Sequence, residues 1–170
     1  MKKLFLLTLT AAVALSGFAN PAMRPLNNNG ERSAASYKRL TLMGNLNIIL
    51  VNDDTKMVEV ADTKEAEQVS TTFYKNKLVV DGSAVNRNNP VTVRVPANQL
   101  EYLEVIGNVT VQTESNLNTP KLYVTIDGKG KVSLSNKGQI YVRSGDDINL
   151  KVEKATGRVV VDENSKDFEK

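Results

Sequence analysis

Residues 122–142 read LYVTIDGKGKVSLSNKGQIYV. Apolar side chains fall at every second position: Leu122-x-Val124-x-Ile126, then Val132-x-Leu134, then Ile140-x-Val142. A period of two puts one face of each run inside and the other in solvent, the pattern of half-buried β-strands. Gly128 separates the first two runs. Glycine suits a sharp corner because it tolerates positive φ. The unit reads as strand, glycine corner, strand and return loop.

The unit extends in both directions. Upstream lie Leu40-x-Leu42, Leu46-x-Ile48-x-Leu50, Val58-x-Val60, Leu78-x-Val80, Val91-x-Val93-x-Val95, Leu103-x-Val105 and Val109-x-Val111. Downstream lie Ile148-x-Leu150-x-Val152 and Val159-x-Val161. Leu103, Leu122, Ile140 and Val159 open similar units at steps of 19, 18 and 19 residues, and Leu40, Val58 and Leu78 at steps of 18 and 20. Gly44, Gly107, Gly128 and Gly145 mark the corners. So short a unit cannot bury its apolar face alone, but neighbours stacked about 4.8 Å apart can share one interior. The expected fold is all-β: a right-handed parallel β-helix (β-solenoid) with about 18–20 residues per coil, right-handed because parallel crossovers are.

The expected register sets Leu103 beside Leu122 and Ile140, Val105 beside Val124 and Val142, and Thr110 beside Ser133 and Asn149. An antiparallel sandwich or barrel is the competing arrangement, since short, evenly spaced strands fit that too. The repeat is irregular after Val152, where Gly157 comes early, and two earlier stretches also fit it poorly. STTFYKNKLVVDG (70–82) predicts a local hairpin around Lys75-Asn76, and VNRNNP (85–90) an irregular loop. KEAEQV (64–69) predicts one helical turn.

The start of the chain, MKKLFLLTLTAAVALSGFA, has two lysines, an apolar run from Leu4 to Leu15, then small residues ending at Ala19. That pattern predicts a secretory signal peptide over 1–19, too short to span a bilayer comfortably. Without cysteine there is no lipid anchor on one. Residues 20–36, with two prolines and three consecutive asparagines, predict a flexible leader. The β-helix domain is expected over 37–161 and a charged tail, DENSKDFEK, over 162–170. The expected location is the periplasm, the cell surface or the extracellular medium.

Composition removes several chemistries. The 170 residues contain no Cys, His or Trp. Disulfides, Cys/His zinc sites, catalytic cysteines and histidine bases are therefore excluded. Lys and Arg number 22 against 19 Asp and Glu, and removal of Lys2 and Lys3 leaves an excess of one. Mixed charge of this kind makes no stripe for nucleic acid. The acidic pairs Asp53-Asp54 and Asp146-Asp147 sit in turn-like contexts, where aspartate bonds nearby backbone N–H groups; whether they also hold a cation stays open. Lys129 and Lys131 around Gly130 read as a solvated turn. No catalytic residue, metal site or cofactor is expected.

The informative polar face is aromatic. Tyr123 and Tyr141 take the same register on neighbouring strands, and Tyr102 falls at the neighbouring outward position. Glu104, Lys121, Gln139 and Arg143 share that face. A flat strip of tyrosine can stack on sugar rings or anchor a protein partner; the plainer reading is ladder stacking that stabilises the sheet. The candidate binding residues are Tyr102, Tyr123, Tyr141, Lys121 and Arg143.

The runs SYKRLTLMGNLNIILVND (36–53) and TVRVPANQLEYLEVIGNVTV (92–111), followed by IDGKGKVSL (126–134), resemble the head-GIN-domain family of bacterial cell-envelope proteins, labelled "putative auto-transporter adhesins". The resemblance covers roughly residues 37–161. It implies a single-stranded β-helix and an adhesin-like role, and it brings no site residue with it. Gly107-Asn108 and Gly128-Lys129-Gly130 depart from the Gly-Ser-Gly corners of that pattern. The expectation is an exported, non-catalytic module for adhesion or recognition, meeting an envelope or extracellular glycan or protein. No nucleic-acid partner and no membrane span after cleavage are expected, and strand edges leave room for an oligomer. The alternatives are a small polysaccharide-active β-helix enzyme and a purely structural envelope protein.

Overall fold

In the computed structural model the described residues are 31–33, 36–52, 57–61, 66–144, 150–152 and 159–161. The signal peptide, the charged tail, Asp53-Asp54, Asp146-Asp147, Gly145 and Asn149 lie outside them. Among the described residues twelve strands run in chain order: β1 (Glu31–Ser33), β2 (Arg39–Val51), β3 (Met57–Val60), β4 (Ser70–Tyr74), β5 (Lys77–Gly82), β6 (Val91–Pro96), β7 (Tyr102–Thr113), β8 (Lys121–Asp127), β9 (Lys131–Leu134), β10 (Gln139–Ser144), β11 (Leu150–Val152) and β12 (Val159–Val161). One 3-10 turn, Ala66–Gln68, occupies the stretch read as helical. β1 lies within the stretch expected to be a flexible leader and pairs with β3.

Alternation decides which face is dry. β8 buries Leu122, Val124 and Ile126 and turns Lys121, Tyr123 and Thr125 outward. β6 buries Val91, Val93 and Val95, and β10 buries Ile140 and Val142. These residues join Leu40, Leu42, Leu46 and Ile48 of β2 in one apolar cluster. Each such side chain contributes roughly 1.5–3 kcal/mol by leaving water.

The long strands β2 and β7 organise the sheet. They lie parallel along nearly their whole length, from Arg39↔Tyr102 to Leu50↔Thr113. The first half of β2 pairs with β5 and its second half with β6. The first half of β7 likewise pairs with β8 and its second half with β9. Two branches result. One follows β4, β5, β2, β7, β8, β10 and β12; the other follows β1, β3, β6, β2, β7, β9 and β11. They part at Gly44 and Gly107, which sit opposite each other with φ of 91° and 90°. A Cβ on Gly44 would fall on the backbone of Gly82. The glycine corners thus bend β2 and β7 without interrupting them.

The expected right-handed parallel β-helix does not hold. The sheet is mixed, with antiparallel pairs β1–β3, β3–β6 and β4–β5. The physical reason lies in the first half of the chain. Lys75 and Asn76 join β4 to β5 in a two-residue hairpin, with Lys75 at φ 53°, and a hairpin reverses the chain where a parallel unit needs a crossover. β3 also runs against β6, so Val58 does not open a layer between Leu40 and Leu78; those two leucines face each other directly.

The register differs as well. Leu122↔Ile140 and Val124↔Val142 pair as expected, but Leu103 meets Val124 rather than Leu122. Ser133 meets Gln112 and Lys151 rather than Thr110 and Asn149. Each is a slip of two residues. Side chains alternate with period two, so such a slip keeps every residue on its own face, and the hydrophobic pattern cannot detect it.

Candidate functional site: a tyrosine row on the outer face

The slip creates the site. With Tyr102 opposite Tyr123 and Tyr123 opposite Tyr141, the three tyrosines occupy one row across β7, β8 and β10. The Tyr102 and Tyr123 ring centroids are 5.1 Å apart, those of Tyr123 and Tyr141 4.9 Å, and both pairs stack at 16° between planes. Those separations follow the spacing of neighbouring strands, so the backbone ladder itself holds the rings in register. β2 extends the row: Arg39 sits opposite Tyr102, with its Cζ 4.5 Å from the ring centroid. A guanidinium over a tyrosine face is attracted by the ring quadrupole.

Stacking leaves little ring face for a ligand. Tyr123 is covered on both sides by its neighbours, and Tyr102 lies between Arg39 and Tyr123. Tyr102 and Tyr123 therefore offer ring edges and hydroxyls, not the open faces that stacking on sugars would use. At its end, the Tyr141 hydroxyl donates to Gln139 Oε1 at 2.7 Å.

The next outward row holds Thr41, Glu104, Thr125 and Arg143 side by side. Thr41 Oγ1 donates to Glu104 Oε2 at 2.7 Å, and Lys77 Nζ lies 3.5 Å from the same oxygen. Between the two rows is a shallow depression of about 140 Å³, with Arg39, Lys77 and Arg143 on its rim and Tyr102 and Tyr123 in its wall. Of the five sequence-predicted residues, Tyr102, Tyr123 and Arg143 line the depression, and Tyr141 stands at the end of the row, stacked on Tyr123. Lys121 sits opposite Gln139 on the other side of the tyrosine row, exposed and away from the depression. Arg39, Lys77 and Thr41 escaped the sequence reading. Only the pairing of β2 with both β5 and β7 brings them to Tyr102.

Away from the row the chemistry is structural. Tyr37 is buried, donates to the Pro96 carbonyl and meets Phe73 edge-on with centroids 6.2 Å apart. Burial pushes its phenol well above the usual range. Asn136 satisfies both backbone groups of Thr119, accepting from its N–H at 3.1 Å and donating to its carbonyl at 2.8 Å. Among the described residues, no group of three or more carboxylates is placed to hold a metal ion, and no helix is long and apolar enough to cross a membrane.

Solved structures share this architecture. A "putative adhesin" from Bacteroides fragilis superposes with a TM-score of 0.58 at 13% identity, over 73% of this chain and 61% of its own. A "putative lipid binding protein" from Parabacteroides distasonis gives 0.55 at 14% identity, over 76% of this chain and 60% of its own. The chain thus spans about 60% of the length of either, and identity this low speaks for the fold alone. Among curated proteins, none matches the chain significantly. The family model described as "Putative auto-transporter adhesin, head GIN domain" matches residues 36–166, and the chain belongs to that family.

Proposed function

We propose that this protein is an exported, non-catalytic adhesion or recognition module of the bacterial cell envelope, and that its contact surface is the outer face of β2, β7, β8 and β10. The observation that carries this reading is the ordered row Arg39–Tyr102–Tyr123–Tyr141. Tyrosines held rigid by a sheet present hydroxyls and edges with little conformational entropy left to lose on binding. Lys121 and Arg143 flank the row on either side and supply charged donors. Family membership supports adhesion as the class of work. Export rests on the residues before Asn20, a basic start and a short apolar run ending in small residues.

A panel of immobilised glycans and intact bacterial cells tests the reading, with Lys121→Glu/Arg143→Glu as the comparison, since those changes leave the aromatic stack in place. Binding by the wild type that the double variant loses supports the outer face as the contact surface. Binding that survives unchanged removes this face from the account. Fractionation with protease added to intact cells tests export: protein found only in the cytoplasm contradicts it.

A second reading has one observation in its favour. The ring faces are spent on one another, which is what a stabilising ladder in a purely structural protein would show. In that case the double variant and the wild type bind nothing on either panel.

A further inference from the structure

The outer face combines a regular row of phenols with unbalanced charge, and that combination restricts the ligand. Resting on the contact reading above, we infer that the tyrosine row and the depression beside it take an extended acidic polysaccharide, with its carboxylates at the Arg39, Lys77 and Arg143 rim and its hydroxyls along the ring edges.

Charge comes first. Arg39, Lys77 and Arg143 rim the depression, and Glu104 is the carboxylate among its lining residues. Glu104 is already engaged by the Thr41 hydroxyl and by Lys77. The excess is cationic, so an anion is favoured there over a neutral or cationic group. The Arg39 guanidinium suits a carboxylate, which it can bind through paired N–H donors.

Shape comes second. The row crosses the strands at right angles, so phenol hydroxyls recur once per strand, with rings 5.1 and 4.9 Å apart. That repeat is comparable to the advance of one sugar along an extended glycan, so successive sugars can meet successive tyrosines. Aromatic bases are disfavoured because they bind by stacking on ring faces, and both faces of Tyr102 and Tyr123, the tyrosines lining the depression, are covered. A lipid surface is disfavoured because membrane-facing proteins insert exposed apolar groups. Among the described residues the one large, well-exposed hydrophobic side chain is Tyr74, on β4.

Affinity electrophoresis of the whole purified protein through gels holding polygalacturonate, neutral dextran or no polymer tests the inference, alongside flotation with anionic phosphatidylglycerol vesicles. Retardation is expected in polygalacturonate alone, weakening as salt rises. The variant Arg39→Gln/Lys77→Gln should lose roughly tenfold or more in retention, because charged hydrogen bonds dominate such contacts. Tyr102→Phe, which keeps the stack, should lose roughly twofold to fivefold, the share of one neutral hydrogen bond. Retention equal in dextran, absence of retention, binding confined to vesicles, or an Arg39→Gln/Lys77→Gln variant that binds like the wild type would each overturn the inference. The contact reading fails separately. A neutral glycan or a protein bound through Lys121 and Arg143 would sink the acidic-polysaccharide assignment and leave that reading standing.

Discussion

The two halves of the molecule solve the same packing problem differently. From β7 onward the described pairs are all parallel, and paired strands come from successive units. Before β7 three described pairs are antiparallel: β1 with β3, β3 with β6, and β4 with β5 in the hairpin. Both halves bury the same kind of aliphatic row in a common cluster. A shared apolar pattern therefore does not determine strand direction. What differs is the connection: two residues join β4 to β5, whereas the later parallel neighbours are linked through the second half of β7 and residues 114–120, or through the intervening strand β9. A two-residue link permits an antiparallel neighbour only.

The largest expected effect lies where the halves meet. Gly44 and Gly107 face each other with the same left-handed φ, but they differ in room. A Cβ on Gly44 collides with the backbone of Gly82, whereas one on Gly107 stands 3.3 Å from the Gly44 carbonyl oxygen. Gly44→Ala should therefore cost about 3 kcal/mol or more, from left-handed strain plus a clash that no side chain can relieve, and Gly107→Ala about 1–2 kcal/mol, from the same strain with a tight contact that a small shift relieves. Denaturant titration of both variants measures the gap. Equal losses would mean the two branches do not part at Gly44 as described.

Tyr37 comes next. It ties β4 to β6 within the first half, through Phe73 and the Pro96 carbonyl. Tyr37→Phe leaves that carbonyl without its donor and should cost about 1–3 kcal/mol. Its phenol is raised on folding by burial, from an ordinary value of 10.0. The native state thus holds a proton that the unfolded chain releases in alkali. Stability should be intact below about pH 10 and fall as pH rises beyond it. Tyr37→Phe should flatten that alkaline decline; identical slopes for the two proteins would contradict the burial of this hydroxyl.

The aromatic row belongs to the second half, and its contribution should be smaller. Tyr123→Ala removes two stacking partners at once and should cost about 1–2 kcal/mol, at a few tenths to 1 kcal/mol per cross-strand pair. Tyr123→Phe should keep most of that, as thermal melts would show. A Phe variant as unstable as the Ala variant would shift the weight from the stack to the hydroxyl.

The smallest effect should be a gain. Lys75 holds φ 53° at the first position of the hairpin link, a conformation glycine adopts without a Cβ penalty. Lys75→Gly should stabilise the protein by up to about 1 kcal/mol, offset in part by the greater freedom of glycine in the unfolded chain. A clear loss would show that the hairpin depends on the lysine side chain, which lies 5.3 Å from the Tyr74 ring.

Much of this was legible in the residues. Alternation identified the buried aliphatics from Leu40 to Val142, glycine marked the bend at Gly44 and Gly107, and the link at Lys75-Asn76 predicted its hairpin. Strand direction was not legible from Val58 to Val95, because a buried face reads the same whichever way its strand runs. In the site, Tyr123 and Tyr141 stood out through their common place in successive units. Tyr102 looked displaced because Tyr102 and Tyr123 are 21 residues apart whereas Tyr123 and Tyr141 are 18 apart, and the longer return loop absorbs the difference. Arg39 and Lys77 were invisible, since they reach the row through pairings of β2 that span 63 and 38 residues.

The contact face exists only if β7 and β8 pair with Tyr102 opposite Tyr123. Nuclear Overhauser contacts between aromatic rings, in protein with assigned tyrosine resonances, test that pairing most directly. The Tyr123 ring should show cross-peaks to both Tyr102 and Tyr141. A Tyr123 ring in contact with Tyr141 and the Glu104 side chain, with Tyr102 beside Lys121, would place the strands two residues out of this register and dissolve the row.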